Sequence, residues 1–540
     1  MNKPWSMLWP LFVLPLFAYQ YQRIELLRND EFNLNRWGER SVFYEIFVQS
    51  YADSNGDGIG DIPGMTSKLD YLSDLGIDAI WLMPMSPSPS YHKYDVIDYR
   101  AIHPDYGTMD DFKTFIKEAH KRNIKIVMDF VINHSGYDHP WFQDAMKGKD
   151  AKYRDYYVWA DKDSIAAQIA KKEISFDSDN IRQWHPVDEK NPVGEHYYGF
   201  FYGGMPDLNY DNPAVRNEMY AAGKFWLEEV GVDGFRLDAA KHIYPDDRAS
   251  DSHAFWKEFK TEMEKVNPDV YLIGEVWADA GTASPYAAGF TSLFNFDRAF
   301  SILESINKER VVAANIAGHG YEIDSNANFP EVINTSLPWF KKYNSDFVEA
   351  SFLSNHDQNR VASVLTGDVS KIKLSASLLF TLPGTPYVYY GEEIGMLGMK
   401  PDENIREPML WDERSKDQMR TSWMEATFTT DKSVSSVTVQ QKDNNSILNH
   451  YKTLIALKKQ EVFALGDIQH LDFGSSSIVA FTRSYGNKSV AVVHNLSSQS
   501  VELDIEVLDR FQNLVWQEGE VDRSASTLKL SARGSVVYKK

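Results

Sequence analysis

The chain has 540 residues and no cysteine, and its 77 acidic and 56 basic side chains give a formal net charge of −21. The missing cysteines exclude disulfides, thiol catalysis and zinc–thiolate sites, and an acidic surface repels nucleic-acid phosphates, so we expect no nucleic-acid partner. With 43% hydrophobic and 25% charged residues, the chain is typical of a globular protein that is long enough for a barrel, an insertion and a smaller domain.

The N-terminus has the pattern of an export signal. Lys3 precedes an apolar run over residues 7–18, which is too short to span a membrane and contains Pro10 and Pro15. We predict a signal peptide over residues 1–20, and therefore a secreted or periplasmic protein without stable membrane association after cleavage. An uncleaved anchor and a buried segment are the alternative interpretations.

Apolar, β-rich runs then alternate with helical stretches, of which the clearest are at 65–75 and 109–122. Near-continuous apolar runs separated by helices favour parallel strands that are buried on both faces. Eight such units predict an α/β fold, a closed (β/α)₈ barrel. The candidate strands are residues 42–48, 77–83, 124–132, 232–237, 270–276, 290–296, 350–354 and 386–390.

Two segments depart from this alternation. The longest interval separates the third and fourth candidate strands, and its residues 135–207 are rich in Tyr, Trp, Asp and Lys, which indicates an inserted subdomain. After residue 425, short alternating runs separated by turn residues predict an all-β module, a sandwich. The expected domains are a barrel over 36–134 and 208–425, a subdomain over 135–207 and a β-sandwich over 426–540.

A loop after the first candidate strand carries oxygen ligands at alternate positions. Residues 53–61 read DSNGDGIGD and match the start of an EF-hand calcium loop, with Gly58 at the sharp turn. The match ends where Gly64 replaces the bidentate glutamate, and a strand rather than a helix precedes the loop. We predict a lone Ca²⁺ loop, with a solvated turn as the alternative. Its predicted ligands are the side chains of Asp53, Asn55, Asp57 and Asp61 and the carbonyl of Ile59.

Acidic residues stand at the ends of four candidate strands: Asp129, Asp238, Glu275 and Asp357. In (β/α)₈ barrels the reacting groups lie at the carboxyl ends of the strands. Each acid alone could be a helix cap or an ion-pair partner. Four converging acids repel one another and cost stability, so together they point to function.

Glycoside cleavage requires such a set, because one carboxylate attacks the anomeric carbon and another protonates the leaving oxygen. Arg236 lies two residues before Asp238, so on a strand both side chains point to the same side and the cation can keep the nucleophile ionised. Glu275 is followed by Val276 and Trp277, and apolar neighbours raise the pKa of an acid that must hold its proton.

Four sequence blocks carry a resemblance. DFVINH (129–134), GFRLDAAKH (234–242), GEVW (274–277) and SNHD (354–357) resemble, in order, the four blocks of the α-amylase family of glycoside hydrolases, and MPDLN (205–209) resembles an additional block. The likeness extends from about residue 42 to residue 411. It implies a retaining enzyme in which Asp238 forms the covalent glycosyl-enzyme, Glu275 is the general acid/base, and Asp357 binds sugar hydroxyls.

The resemblance also implies the surroundings of these acids. Arg236 would hold Asp238 ionised, and His134 and His356 would hydrogen-bond the sugar in the cleaved subsite. Tyr94, in the segment YHKYD (91–95), resembles the tyrosine that stacks on this sugar. The remaining candidates for substrate binding are His92 and Asp95 of the same segment and, on the leaving-group side, Lys241 and His242.

A second calcium site is possible between barrel and insertion. Family members with a metal there use the asparagine of the first block, the aspartate of the additional block and a backbone carbonyl from the lysine–histidine pair. In this sequence those residues are Asn133, Asp207 and His242.

The resemblance also implies a bond specificity. In the family, a small residue after the nucleophile, here Ala239, and a pair such as Lys241–His242 accompany α-1,4 bonds, whereas MPDLN (205–209) lies between the forms typical of amylases and of oligosaccharide glucosidases. We expect a monomeric endo-acting hydrolase of starch, maltodextrins and other α-glucan or malto-oligosaccharide substrates. The alternatives are an exo-acting α-glucosidase, a cyclodextrin-hydrolysing enzyme, a transglycosylase and a non-catalytic membrane-anchored relative, and the three intact carboxylates argue against the last.

Overall fold

Eight parallel strands close into a barrel, as their apolar pattern predicts. The structure is a computed structural model that describes residues 37–170, 183–190, 194–317, 320–324, 329–413 and 415–540. Each strand pairs with the next in the chain, and pairing of Phe43 with Tyr387 closes the ring. In chain order, barrel strands 1 to 8 are Phe43–Ile46, Ala79–Leu82, Lys125–Phe130, Gly234–Leu237, Tyr271–Gly274, Ser292–Phe294, Val348–Phe352 and Thr385–Tyr389.

Helices surround the barrel, and helix Met109–Lys121 buries one face against it. Helix Met109–Lys121 begins at a capping box between Thr108 and Asp111, and its buried residues are Phe112, Phe115, Ile116 and Ala119, the spacing of an amphipathic helix. The predicted helix over 65–75 is two segments, Ile62–Ser67 and Leu69–Leu75. The other long helices are Pro213–Phe225, Ala249–Glu264, Phe296–Lys308, Phe329–Lys341, Val369–Thr381 and Ile447–Lys458.

The segment between barrel strands 3 and 4 contains helices Pro140–Ala145 and Lys162–Ala170 and a three-stranded sheet. The sheet strands are Trp159–Ala160, Trp184–Pro186 and His196–Tyr198. The ends of the segment meet, because His134 forms an isolated bridge with Asp207. The insertion therefore returns to the rim of the barrel close to where it leaves.

The C-terminal part consists of two antiparallel sheets packed face to face. One sheet contains Asp467–His470, Ile478–Tyr485, Lys488–Asn495, Ser535–Lys539 and Asn513–Glu518, and the other contains Val501–Asp504, Thr527–Leu530 and Val521–Arg523. Apolar side chains of both sheets, among them Val493 and Leu528, share one core. This is the sandwich that the alternating pattern predicts.

The strands of the sandwich begin at Asp467, later than the expected domain boundary at 426. The preceding residues pack on the barrel, because helix Ile447–Lys458 lies against helix Val369–Thr381 and the hydroxyl of Ser377 is 3.1 Å from His450 Nε2. At the junction Arg483, fully buried, donates hydrogen bonds to the carbonyls of Thr381 at 2.7 Å and Phe463 at 2.8 Å.

The predicted signal peptide over residues 1–20 lies outside the described residues, so export stays a prediction. Within the described ranges, no helix is long and apolar enough to cross a membrane.

Candidate active site

The four acids selected from the sequence meet at the carboxyl end of the barrel. Asp129 is the next-to-last residue of barrel strand 3, Asp238 and Glu275 directly follow strands 4 and 5, and Asp357 lies beyond strand 7. The register of the sheet places Asp129 beside Arg236. Because these strands are parallel, their ends share one rim of the barrel.

Arg236 joins three of these carboxylates. Its guanidinium is fully buried, with Nη1 at 2.9 Å from Asp129 Oδ2 and 2.7 Å from Asp238 Oδ1, and Nη2 at 2.8 Å from Glu275 Oε2. The two-residue spacing on barrel strand 4 brings Arg236 and Asp238 into contact. Three buried carboxylates repel one another strongly. The single buried cation of Arg236 offsets this repulsion.

Glu275 is a carboxyl group that can hold a proton near neutral pH. Burial raises its pKa to about 7, since it outweighs the opposing charge of Arg236, and the charges of Asp238 and Asp357 add to the rise. Of the two apolar residues that follow Glu275 in the sequence, Val276 is buried and Trp277 is not. Its indole is 40% exposed and stacks on Phe296 at 4.4 Å, so the shift comes from burial in the barrel mouth.

Asp357 is held as a carboxylate from both sides. Its Oδ1 lies 3.0 Å from Arg406 Nη2 and its Oδ2 lies 2.9 Å from His356 Nε2. Burial alone would raise its pKa, but His356 and the two arginines Arg406 and Arg236 hold it well below its usual range. The carboxylate is therefore an acceptor of hydrogen bonds and not a proton donor.

Tyr94 lies between two of these acids. Its hydroxyl is 2.6 Å from His356 Nε2 and donates to Asp129 Oδ2 at 3.2 Å, and its ring stacks on the imidazole of His356. His92 Nδ1 accepts the backbone N–H of Tyr94 at 3.1 Å, and burial lowers the pKa of His92 to about 4. Asp95 accepts from the hydroxyls of two serines, Ser88 and Ser90, so it orders the loop that carries Tyr94.

His134 presents a free nitrogen in the same region. It is buried, burial lowers its pKa, and within the described part of the chain its Nε2 has no hydrogen-bond partner. The ring lies at the edge of Phe201, 5.4 Å between centroids. A neutral imidazole with an unused nitrogen suits a sugar hydroxyl as partner.

The pair after the nucleophile lies in the short helix Ala240–His242, which follows Ala239 at φ +48°. Lys241 Nζ is 3.4 Å from Asp246 Oδ2. His242 is stacked on Phe200 at 3.9 Å between ring centroids, and burial lowers its pKa to about 3.

Comparison with known families decides the class of this site. A model of the alpha-amylase catalytic domain matches residues 45–466, and a model of the C-terminal domain of alpha-amylase SusG matches residues 478–537.

The chain belongs to the α-amylase family of glycoside hydrolases.

Relatives within the family carry more than one activity in their names. The chain is 42% identical over 462 residues to Alpha-amylase 3 of Dictyoglomus thermophilum. This match covers 85% of each of the two chains. It is 36% identical to a 4-alpha-glucanotransferase of Thermotoga neapolitana, over 85% of this chain and 96% of the relative. The solved alpha-amylase from H. orenii is 37% identical, with a TM-score of 0.79, and the match covers 93% of this chain and 99% of that one.

The loop expected to bind Ca²⁺ is ordered by its own carboxylates. Asp53 accepts the backbone N–H groups of Gly56 at 2.7 Å and Gly58 at 2.8 Å, and Asp61 accepts the N–H of Ser54 at 2.9 Å. The positive φ values of Gly56 (81°) and Gly58 (93°) require glycine at these turns.

The donor set of this loop suits a hard cation by its chemistry. Asp53 and Asp61 are buried, whereas Asn55 and Asp57 are exposed and the amide of Asn55 donates to Asp57 Oδ2 at 3.1 Å. Within the described ranges, no three His, Asp or Glu side chains converge as metal ligands. Binding of Ca²⁺ through more than two of these carboxylates would thus require Asp53, Asp57 and Asp61 to turn towards a common point.

The second candidate site fits better. Asn133 Oδ1 is buried and lacks a hydrogen-bond partner among the described residues, and burial raises the pKa of Asp207 well above its usual range. Asp207 Oδ1 accepts the N–H of Phe200 at 3.2 Å, and His242 stacks on the ring of Phe200. An unpaired amide oxygen beside a buried carboxyl group is what a bound Ca²⁺ would satisfy.

Two residues of the site were not predicted from the sequence. Glu45 in barrel strand 1 contacts His356 at 2.6 Å, and Arg406 in the segment after strand 8 contacts Asp357. Glu45 is an acid inside an apolar strand run, a signal that could have been used, since buried carboxylates need partners. Arg406 lies in no recognisable pattern.

Proposed function

We propose that the protein is a retaining α-glucan hydrolase with Asp238 as nucleophile and Glu275 as general acid/base. The observation that carries this proposal is that Arg236 bridges the two acids. One guanidinium keeps the carboxyl groups close, which favours the separation of about 5–5.5 Å of a retaining pair over the wider gap of an inverting pair.

The acids differ in the way that the reaction requires. Glu275, with a pKa near 7, can give its proton to the leaving glycosidic oxygen while Asp238, paired with Arg236, attacks the anomeric carbon. The bond between Asp238 and the sugar then breaks when Glu275, now ionised, takes a proton from the attacking water. Asp357 and His134 would hold the hydroxyls of the distorted ring.

The bond cleaved is α-1,4 in this proposal, and the action is of the endo type. The support is the resemblance to family members in which a small residue after the nucleophile accompanies α-1,4 bonds. That residue is Ala239 in this chain, at φ +48°, a conformation in which a β-branched side chain is strained. Two of the similar proteins are named as alpha-amylases. Transglycosylation is the second candidate, because another similar protein is named as a 4-alpha-glucanotransferase.

We also propose that Ca²⁺ stabilises the folded chain. The support is the oxygen-rich loop over residues 53–61 and the unpaired Asn133 Oδ1 beside Asp207. Both places lie outside the reacting groups, so the metal would order the loop and the base of the insertion.

Replacement of Glu275 by Gln tests the assignment. The amide cannot donate a proton, and we expect kcat on maltoheptaose to fall by a factor of about 10² to 10⁴, the usual contribution of general acid–base catalysis. The melting temperature reports whether the variant is folded. Unchanged hydrolysis by a folded Glu275→Gln variant would show that another group is the acid.

A further inference from the structure

Glu45 is a buried acid at the mouth of the barrel. It is 2% exposed, lies in barrel strand 1 between Tyr44 and Ile46, and its Oε1 is 2.6 Å from His356 Nδ1. A carboxylate in such a place costs free energy unless a charged group compensates it. The partner is the imidazole of His356, which is itself fully buried.

The other nitrogen of this imidazole also faces acceptors. His356 Nε2 is 2.9 Å from Asp357 Oδ2 and 2.6 Å from the hydroxyl of Tyr94, whose own proton can go to Asp129 Oδ2 at 3.2 Å. A neutral imidazole donates from only one nitrogen. With Glu45 and Asp357 both ionised, it would turn a lone pair towards a carboxylate on one side, so a proton on both nitrogens satisfies all of these contacts.

We propose that Glu45 is a positioning residue for the sugar-binding site, because it holds His356 as an imidazolium that orients Asp357 and Tyr94. This inference rests on the proposed function, in which those two residues contact the sugar of the cleaved subsite. Glu45 acts through His356 and touches no reacting atom.

The charges around His356 favour its imidazolium form. Burial alone would lower its pKa, but the carboxylates of Asp357 and Glu45 raise the pKa of His356 to about 10. Burial raises the pKa of Glu45 and the contact with His356 counteracts that rise, so each ion depends on the other. Other titratable or charged groups also face this cluster, namely Tyr94, Asp129, Arg236, Glu275, Arg406, Tyr389 and His92.

The test is the ratio of kcat in Glu45→Gln to kcat in the wild type, measured on maltoheptaose at several pH values. Glutamine keeps the shape but removes the charge, so the pKa of His356 falls and the ring loses its second proton as the pH rises. We expect a ratio that declines at least about tenfold between about pH 5 and about pH 8.5, in line with the strength of hydrogen bonds to charged groups. Loss of the charge on His356 would raise the pKa of Glu275 and extend the alkaline limb of the variant, which would make the ratio rise with pH, so a declining ratio cannot come from Glu275. A ratio independent of pH would overturn the proposal.

Two further variants serve as controls. Glu45→Asp keeps the charge, and its ratio should be flat across this pH range. Glu349→Gln removes another buried strand glutamate, paired with Arg298 away from the site, and should lower the melting temperature with a flat ratio. A pH-dependent ratio in Glu349→Gln would mean that any lost barrel charge produces the effect, and would overturn the proposal.

A double-mutant cycle shows whether Glu45 acts through His356. We expect Glu45→Gln to have no further effect on kcat in the His356→Gln background, and additive losses would contradict the inference. If Glu45→Gln does not fold, ¹⁵N-histidine NMR of the wild type replaces it, with the His356 signal identified by its absence from His356→Gln. Both ring nitrogens should remain protonated at pH 8. Failure of the proposed function is a separate result, namely full hydrolysis by Asp238→Asn.

Discussion

At the scale of single residues, the site is a set of acids that differ in charge state because their neighbours differ. Arg236 contacts Asp129, Asp238 and Glu275. Arg406 and His356 together keep Asp357 ionised. Burial raises the pKa of both Glu275 and Asp129 to about 7, and of these two acids Glu275 is the one assigned to protonate the leaving oxygen. The pH dependence of activity should therefore report on this residue.

We predict that kcat/KM falls as the pH rises through about 7. The sign follows from the role of Glu275, because its raised pKa keeps it protonated below this value and the deprotonated form cannot assist the leaving group. His356, with a pKa of about 10, keeps its charge over this interval. The measurement is hydrolysis of maltoheptaose between about pH 4 and about pH 9. A rate that climbs steadily between pH 7 and pH 9 would contradict the assignment.

Residues inside strand-end patterns could be predicted from the sequence, and residues outside them could not. Asp238 and Glu275 directly follow apolar strand runs, and the ends of such runs lie on the rim of a barrel. Glu45 and His356 are 311 positions apart, and their contact depends on closure of strand 1 against strand 8. The exposure of Trp277 depends likewise on its packing against Phe296.

At the scale of elements, the loop over residues 53–61, which follows strand 1, forms hydrogen bonds with the segment near residue 420. Asp53 N–H donates to the carbonyl of Met419 at 2.9 Å, and Ser422 N–H donates to the carbonyl of Gly58 at 2.7 Å. A cation bound in this loop would therefore stabilise two segments that are distant in the chain.

We predict that a chelator lowers the melting temperature of the wild type by at least about 3 °C, since a ligand that binds only the folded state stabilises it. Asp57→Asn is the matched variant. Asp57 Oδ1 accepts the N–H of Ile59 at 2.8 Å, and asparagine keeps this acceptor while it removes the charge, so the turn should survive and the response to chelator should shrink. An identical melting temperature with and without chelator would count against both calcium sites.

At the scale of the whole molecule, the proposed endo action requires that the substrate chain extend past the acids on both sides of the cleaved bond. The bridge of His134 with Asp207 fixes the base of the insertion beside the acids. The barrel, its insertion and the sandwich follow from the alternation of apolar runs. The start of the sandwich at Asp467 could not be predicted from these runs, because the helices before it pack against the barrel.

The products formed from maltoheptaose report on this requirement. We expect an early mixture of intermediate lengths, because an endo-acting site binds the chain on both sides of the cleaved bond. Glucose as the sole early product would mean that the cleft is closed at one end and the enzyme is exo-acting. Products longer than the substrate would indicate transglycosylation. Chromatography of the first few per cent of conversion separates these outcomes.

The central claim is that Asp238 and Glu275 act as a retaining pair on either side of the cleaved bond. The most direct measurement is ¹H NMR of the anomeric proton of the first product, recorded before mutarotation. Two successive displacements at the same carbon preserve configuration, so the account predicts the α-anomer. A β-anomeric first product would contradict it.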